Sequence, residues 1–169
     1  SVPVDQLRTA VQNMQKRQQD KAKAEWDKVA AENKTKSDAF INANKAKAVR
    51  QAVANLIDRD ELSKKVYKGT YTPMYSFIPD GLSGHDDTLN ATYGDGEGKP
   101  DAAKAKKVLE DAGVSTPVDL KLQYNGDHYG SSSADEYAAI KSQLEADGLF
   151  KVDLQQTEWT QYNKERVVT

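Results

Sequence analysis

The apolar positions of the chain are sparse in its first part and regularly spaced in its second part. From Val4 to about Asn44 they recur at helical steps, and neither Gly nor Pro follows Pro3 in this stretch. These positions are Leu7, Val11, Met14, Trp26, Val29 and Ala30. The stretch from Gln15 to Glu25 offers almost nothing to bury. The pattern therefore predicts one long, polar helix that is mostly solvated.

Two short helices and a loop are predicted next. One apolar stripe with helical spacing consists of Ala46, Val49, Val53, Leu56 and Ile57. Asp58 and Glu61 have the spacing of a helix start signal, and Gly69 is a stop signal. The following loop, Thr70 to Asp87, combines prolines and glycines with aromatic and aliphatic side chains. Because it carries so much apolar area, we expect this loop to pack against another part of the protein.

A change of period from helical to alternating marks two strands. A helix is predicted to begin with Pro100 in its first turn and to end at Gly113. Apolar and polar residues then alternate in two stretches, with apolar positions Val118, Leu120, Leu122 and Tyr124 in the first and Phe150, Val152 and Leu154 in the second. Between them, Ser133 and Glu136 form a capping-box pattern at the start of a helix that runs to Asp147.

The order strand, helix, strand predicts parallel pairing through a right-handed crossover. The predicted fold class is therefore α/β or α+β, with a small sheet built on a β-α-β unit, flanked by helices and preceded by the long polar helix. A last helix is predicted to begin at about Trp159.

Composition narrows the classes of function. With 24 basic and 26 acidic side chains the net charge is −2, which gives no reason to expect nucleic acid or an anionic membrane as a partner. No stretch of about twenty apolar residues predicts a membrane span. The absence of cysteine excludes disulfides, thiolate zinc sites and cysteine nucleophiles. The start of the sequence has no export-signal pattern, so we expect any such signal to lie upstream.

No familiar catalytic arrangement is evident in the sequence. His85 and His128 are the only histidines, and neither has further nitrogen or sulfur ligands nearby in sequence. For His128 two roles stay open, a hydrogen-bonding role in its turn and a ligand or metal role. The acidic residues Asp86, Asp87, Asp95 and Glu97 do not have calcium-loop spacing, and the glycines from 94 to 98 do not form a phosphate-binding motif. We therefore predict no enzyme, no metal and no cofactor.

Several motifs in the same order resemble one protein family. The segment Val49 to Leu62, VRQAVANLIDRDEL, resembles the helix pair of the family 5 extracellular solute-binding proteins, which are the peptide-, dipeptide- and nickel-binding components of ABC importers. Further segments resemble the family's proline-rich loop, its next helix and the strands that follow; they are Val66–Gly69, Thr72–Ser76, Ile78–Gly81, Asp101–Leu109, Leu120–Tyr124 and Glu158–Trp159.

The resemblance implies one lobe of a two-lobed clamp that holds a peptide. It implies residues 45–169 as a partial second lobe and residues 1–44 as a polar helical segment, either a first-lobe remnant or a linker. It also implies an extracytoplasmic location, a peptide ligand, the membrane subunits of an ABC importer as partners, and a membrane link only through a lipid anchor outside this chain. Because the polar stretch from Gln15 to Asn44 and the missing later motifs depart from the family, we expect a fragment or a rearranged relative. The alternative is a helical interaction or regulatory module without transport.

Two residues are candidates for ligand binding. In oligopeptide binders of this family a tryptophan after the second strand and an arginine seven residues later face the ligand, and Trp159 and Arg166 have that spacing. A helical step of this length puts both residues on one face. The alternative is that Trp159 is a core residue capping the sheet and Arg166 a surface charge.

Overall fold

The computed structural model describes residues 3–86 and 88–166, and of Arg166 it describes only the backbone. Asp87, which the sequence predicts to close a loop, lies outside the described residues. The elements in chain order are α1 (Val4–Leu56), α2 (Arg59–Lys65), α3 (Thr88–Thr92), α4 (Ala102–Asp111), β1 (Val118–Tyr124), α5 (Ser133–Glu145), β2 (Phe150–Gln156) and α6 (Trp159–Arg166). Contacts divide the chain into a first unit, Ser1–Asn44, and a second unit, Lys45–Thr169.

The first unit is helical and solvated. Every described residue up to Asn44 is exposed. Ion pairs one turn apart, Lys23–Asp27 at 2.7 Å and Lys34–Asp38 at 2.6 Å, support the helix locally. The helix does not end near residue 44, as predicted from the change in pattern, but continues to Leu56. The reason is that no Gly or Pro interrupts the hydrogen-bond ladder between Val4 and Leu56.

The second unit has a small sheet covered by helices. Strands β1 and β2 pair in parallel, with Val118 opposite Phe150 and Tyr124 opposite Gln156. The buried core contains Ala52 and Leu56 of α1, Ala105 and Leu109 of α4, Leu144 of α5, Leu149, and Phe150 and Val152 of β2. The prediction of mixed helix and strand with a small sheet is confirmed. Among the described residues, no helix is both long enough and apolar enough to cross a membrane.

Helix ends in the second unit agree with the sequence signals in part. Asp58 caps α2, and its Oδ1 accepts from Glu61 N at 2.8 Å, as predicted. Helix α4 begins later than predicted, because Asp101 is its cap and accepts from Lys104 N at 2.9 Å. Pro100 therefore lies before this helix and not in its first turn.

The predicted capping box at the start of α5 is wrong. Ser132 occupies the cap position without a side-chain cap hydrogen bond, and Ser133 is a buried helical residue. The Glu136 carboxylate instead accepts from the Tyr67 hydroxyl at 2.6 Å. A long-range hydrogen bond therefore replaces the predicted local one.

The prediction that the apolar side chains of the loop after Gly69 pack against the protein holds for some members and is wrong for others. Tyr75 and Ile78 are half-buried, and Tyr71 contacts the Tyr67 ring at 4.9 Å. Phe77 is 99% exposed, and Tyr71, Met74 and Leu82 are exposed as well. Polar contacts hold the loop: Ser63 Oγ donates to Tyr71 O, and His85 Nδ1 lies 2.6 Å from Ile78 O. These bonds hold backbone groups of the loop although Phe77 remains exposed. Helix α3, which follows this loop, was not predicted.

Candidate functional site

The carboxyl ends of the two parallel strands lie side by side and lead into two loops. Asn125, directly after β1, is buried and connects them. Its Nδ2 donates to Thr157 O at 3.0 Å, and its Oδ1 accepts from His128 N at 2.7 Å. Thr157 N in turn donates to Tyr124 O at 2.9 Å, which extends the strand pairing by one residue. These bonds fix both loops at the edge of the sheet where parallel-sheet proteins commonly bind ligands.

Four aromatic rings meet at this edge, and we call His128, Tyr129, Trp159 and Tyr162 the strand-end cluster. The rings of His128 and Trp159 are stacked with centroids 3.6 Å apart. Tyr129 meets Trp159 edge to face at 5.4 Å and His128 at 4.9 Å. Tyr162, one turn along α6, is stacked on Trp159 at 6.0 Å. The cluster is therefore one continuous aromatic surface supplied by the loop after β1 and by helix α6.

The cluster lies beside a second pair of rings. Tyr124, the last residue of β1, is stacked on Tyr137 of α5 with centroids 4.8 Å apart. Burial raises the pKa of Tyr137, and the neighbouring Tyr162 adds to the effect. The Tyr137 hydroxyl therefore offers an uncharged hydrogen-bond donor on this side of the surface.

The start of α6 is fixed by carboxylates. Glu158 accepts from Gln161 N at 2.9 Å and from Thr160 N at 3.1 Å, which caps the helix. Asp127 Oδ2 accepts from Trp159 N at 3.4 Å. The tryptophan backbone is thus held by the loop after β1, which explains why Trp159 and His128 meet although they are distant in sequence.

Of the two predicted ligand-binding residues, the structure describes the surroundings of one. Trp159 is the first residue of α6, is partly exposed and belongs to the strand-end cluster. Arg166 is the last residue of the same helix, and its side chain lies outside the described residues. The joint role of the two residues therefore stays a prediction.

Three members of the cluster were not predicted as site residues. His128 was weighed only as a turn residue or a ligand, and Tyr129 and Tyr162 were not singled out. A signal was available for Tyr162, because it lies three residues after Trp159 on a predicted helix and so shares its face. For His128 and Tyr129 the signal was weaker: their turn follows the first strand, and parallel pairing brings that end beside the end of the second strand.

The other candidate polar groups are engaged within their own turns. Asp95 Oδ1 accepts from Glu97 N at 2.7 Å and Lys99 N at 3.0 Å, and these backbone bonds, that of Lys99 first, lower the pKa of Asp95. His85 Nε2 lies 3.0 Å from Asp80 Oδ1. Within residues 3–86 and 88–166, no group of three or more His, Cys, Asp or Glu residues is arranged to hold a metal ion.

A groove of about 320 Å³ lies between α2, the loop after it and α5. Its walls include Tyr67, Tyr71, Met74 and Ile140. Tyr67 donates to Glu136 across the groove at 2.6 Å, and burial, followed by this bond, raises the pKa of Tyr67 to about 12. The groove is mostly apolar.

A parallel strand pair with an aromatic surface at its carboxyl edge is typical of α/β proteins that bind small ligands. The chain belongs to the bacterial extracellular solute-binding proteins of family 5, whose middle region matches residues 1–168. This is a family of binding proteins, and the predicted family resemblance is confirmed.

Individual relatives are similar over about two thirds to three quarters of the chain. The oligopeptide-binding protein OppA of Bacillus subtilis (strain 168) is 28% identical over 118 residues, which cover 68% of this chain and 21% of OppA. The Escherichia coli murein tripeptide binding protein MppA is similar in structure, with 27% identity and a TM-score of 0.53, covering 73% of this chain and 24% of MppA.

The PBP AgaA from A. tumefaciens R10, solved in complex with agropinic acid, has 26% identity and a TM-score of 0.57, covering 70% of this chain and 23% of AgaA. The chain thus spans less than a quarter of each of these three proteins.

Proposed function

We propose that this chain supplies part of the peptide-binding cleft of a family 5 component of an ABC importer, acting outside the cytoplasm. In this proposal residues 45–169 are a partial second lobe, and residues 1–44 are a first-lobe remnant or a linker. The names of OppA and MppA, an oligopeptide-binding and a murein tripeptide binding protein, support a peptide as the ligand. The membrane subunits of the importer are the proposed protein partners.

The strand-end cluster is the observation that carries this proposal. Flat peptide groups and aromatic side chains stack well on exposed rings, and such contacts contribute about 0.5–1.5 kcal/mol each beyond the area they bury. Trp159 is partly exposed and Tyr129 is exposed, so the surface is accessible on this chain. Because Asn125 holds both loops from a buried position, the rings are positioned before a ligand arrives.

Arg166 is proposed to complete the site by pairing with a carboxylate of the peptide. It lies two helical turns from Trp159 on α6, which places both residues on one face of the helix. A guanidinium binds a carboxylate with two parallel hydrogen bonds, so it would select a peptide terminus or an acidic side chain.

A single lobe is expected to bind peptide weakly. Ligand pockets bury most of the ligand surface, and in a clamp two lobes share that burial. One wall supplies about half of the contacts, so we expect a Kd on the order of 1 mM, which corresponds to about −4 kcal/mol.

Tryptophan fluorescence offers a direct test, because the chain has two tryptophans and one of them is in the site. In a Trp26→Phe variant, Trp159 is the only reporter. A mixed tripeptide library is expected to change its fluorescence with a saturating dependence on concentration. A matching heat of binding in calorimetry would support the proposal, whereas the absence of both signals up to ten times the expected Kd would contradict it.

Two further variants of this reporter chain assign the contacts. Arg166→Ala is expected to weaken binding roughly tenfold, the usual effect of losing a charge-assisted hydrogen bond. Lys164→Ala, on an exposed position of the same helix, is the matched control and is expected to leave the Kd unchanged. Equal Kd values for the two variants would remove Arg166 from the site.

A second candidate function is a helical interaction module, and the exposed apolar residues of α1 favour it. Trp26 is 74% exposed and Phe40 is 68% exposed. If α1 associates with another helix through these side chains, Trp26→Glu and Phe40→Glu are expected to reduce self-association in sedimentation experiments without changing peptide binding.

A further inference from the structure

Asn125 occupies a buried position that requires a side-chain amide. It is 2% exposed and follows β1 directly. Its Oδ1 accepts from His128 N at 2.7 Å, and its Nδ2 donates to Thr157 O at 3.0 Å and to the Asp127 carboxylate. An amide combines an acceptor and a donor in one short side chain, so these buried bonds favour asparagine at this position.

The next residue, Gly126, leaves room for a side chain of β2. A Cβ at this position would lie 2.6 Å from Gln156 Nε2 and 3.1 Å from Gln156 Cδ. Gln156 Oε1 accepts from the Tyr124 hydroxyl at 3.2 Å, so the Gln156 side chain is held against the end of β1. A larger residue at position 126 would displace Gln156 from this bond. The fold therefore favours asparagine followed by glycine at the strand end, for two separate reasons.

An asparagine followed by glycine is chemically labile, because glycine has no side chain that shields its backbone nitrogen. In deamidation the Gly126 nitrogen attacks Asn125 Cγ and loses its proton. The bond between Gly126 N and Asn125 Cγ forms, the bond between Cγ and Nδ2 breaks, and Nδ2 leaves as ammonia. Water then opens the resulting cyclic imide at either carbonyl, which gives aspartate or isoaspartate. The net reaction consumes water, releases ammonia and needs no other reagent.

We propose that Asn125 is a deamidation site that the folded strand end protects, and that its reaction permanently opens the strand-end cluster. The attack requires the side-chain amide to turn until Cγ faces Gly126 N. An amide that is bonded at both Oδ1 and Nδ2 cannot turn without breaking these bonds, so the reaction requires local opening of the loop. The rate of deamidation therefore reports how often the strand end opens.

Aspartate at position 125 would reverse the hydrogen-bond pattern. An oxygen in place of Nδ2 would face Thr157 O and the Asp127 carboxylate, so a buried negative charge would meet only acceptors. Isoaspartate would in addition lengthen the backbone. Because Asn125 joins the loop after β1 to the segment before α6, its conversion is expected to separate the stacked rings of His128 and Trp159. This inference does not depend on the identity of the ligand.

Peptide mapping by mass spectrometry measures the conversion of Asn125 in the full chain, incubated at the same pH and temperature either folded or in concentrated urea. The chain in urea is expected to convert readily. Each net hydrogen bond is worth roughly a factor of two to ten, so the three bonds are expected to slow the folded chain by at least about tenfold. Asn33, which is followed by lysine, is the internal reference and is expected to convert slowly in both states. A folded rate equal to the rate in urea, or above it, would overturn the proposal.

Two variants test whether the bonds of Asn125 set its reactivity. Asp127→Ala removes one acceptor of Asn125 Nδ2 and is expected to raise the folded rate roughly twofold to tenfold without an equal rise in urea. Asp119→Ala, at an exposed position of β1, is the matched control and is expected to leave both rates unchanged. Equal folded rates for the two variants would contradict the protective role of these bonds.

The consequence for the cluster is measured in the Trp26→Phe background, where Trp159 is the only tryptophan. Asn125→Asp, which carries the aspartate product, is expected to shift the Trp159 emission to longer wavelength and to lower the urea midpoint of the second unit. In the ageing Trp26→Phe chain the same spectral shift is expected to grow in proportion to the converted fraction, which tests the consequence even where Asn125→Asp fails to fold. A Trp159 emission that stays unchanged after conversion would overturn the proposed opening of the cluster.

Discussion

At the scale of single residues, Asn55 organises the glycine-rich turn from inside the second unit. It is 2% exposed, and its Oδ1 accepts from Gly94 N at 2.8 Å. Its Nδ2 donates to Gln51 O at 2.9 Å, and its backbone carbonyl accepts from Asp101 N at 2.8 Å. Asn55, near the end of α1, thus fixes the turn through its side chain and the start of α4 through its backbone carbonyl.

Asn55→Ala is expected to lower the free energy of unfolding by about 1–3 kcal/mol, because it leaves the buried Gly94 N–H without an acceptor. Urea unfolding followed by Trp159 fluorescence in the Trp26→Phe background measures the effect on the second unit. Asn44→Ala, at an exposed position of the same helix, is the control and is expected to change little. Equal unfolding midpoints for the two variants would contradict the role of Asn55.

Tyr67 is expected to make stability fall at high pH. Burial, followed by the hydrogen bond to Glu136, raises its pKa from the ordinary value of 10.0 to about 12. Because the folded state holds the proton more tightly, this contribution is fully present below pH 10 and is lost as the pH rises from 10 through about 12. Tyr67→Phe is expected to reduce the fall in unfolding free energy across that range.

The comparison for this prediction is Tyr71→Phe, since the Tyr71 ring contacts Tyr67 edge to face at 4.9 Å but is exposed. Denaturant unfolding at several pH values around and above 10 measures both variants against the wild type. If the unfolding free energy of Tyr67→Phe falls with pH as steeply as that of the wild type, Tyr67 is not the group responsible.

At the scale of elements, alanine substitutions at two glycines with the same backbone conformation are expected to lower the free energy of unfolding by different amounts. Gly94 and Gly113 have φ of +64° and +65°. A Cβ at Gly94 would lie 2.1 Å from Lys99 O, whereas at Gly113 it would meet nothing within 4 Å. Asp95 N donates to the same Lys99 carbonyl at 2.9 Å, so a side chain at Gly94 would open the turn.

Gly113→Ala is expected to cost about 1–2 kcal/mol, the penalty for a left-handed non-glycine residue. Gly94→Ala carries the same penalty and also the loss of the turn, so its cost is expected to be larger by more than about 1 kcal/mol. The difference between the two unfolding free energies, measured in urea, is the test. Similar decreases in unfolding free energy for the two variants would mean that the turn accommodates a side chain at residue 94 without losing its hydrogen bonds.

The elements whose signals are local were predictable from the sequence. The alternation of apolar and polar residues predicted both strands, and Asp58 predicted the start of α2. The residues that decide these features are neighbours in sequence. The box at Ser133 failed because Glu136 bonds to Tyr67, which is distant in sequence. The prediction that the loop buries its apolar residues failed at Phe77, which is 99% exposed, because apolar composition alone does not show which side chains find a packing partner.

Of the residues in the strand-end cluster, only Trp159 was predicted from the sequence as a site residue. Trp159 stood out through the family resemblance, but its stacking on His128 depends on the parallel pairing of two strands and on Asp127 accepting from Trp159 N. Such contacts are set by the fold as a whole and leave no periodic pattern. For Tyr129 the sequence offered only its place in the turn after the first strand.

At the scale of the whole molecule, burial is very unequal between the two units. Every described residue from Pro3 to Asn44 is exposed, whereas the second unit contains the whole buried core. Helices gain most of their stability in proteins from packing an apolar face, and a solvated helix depends on local propensity alone. The two units are therefore expected to differ in local stability.

Hydrogen exchange is expected to show this difference directly. Amides between about Thr9 and Phe40 should exchange with little protection, because local opening there exposes no buried surface, whereas amides of β2 should approach the protection set by global unfolding. Gln18→Gly, in the middle of the exposed stretch, disfavours helix by about 1 kcal/mol relative to alanine. It is expected to lower the helical circular dichroism of the chain while leaving the urea midpoint reported by Trp159 unchanged. Gln18→Ala is the control and should retain the helical signal. A shift of the Trp159 midpoint in Gln18→Gly alone would show that the stability of the second unit depends on the first part of α1, and the expectation of separate stabilities would then be wrong.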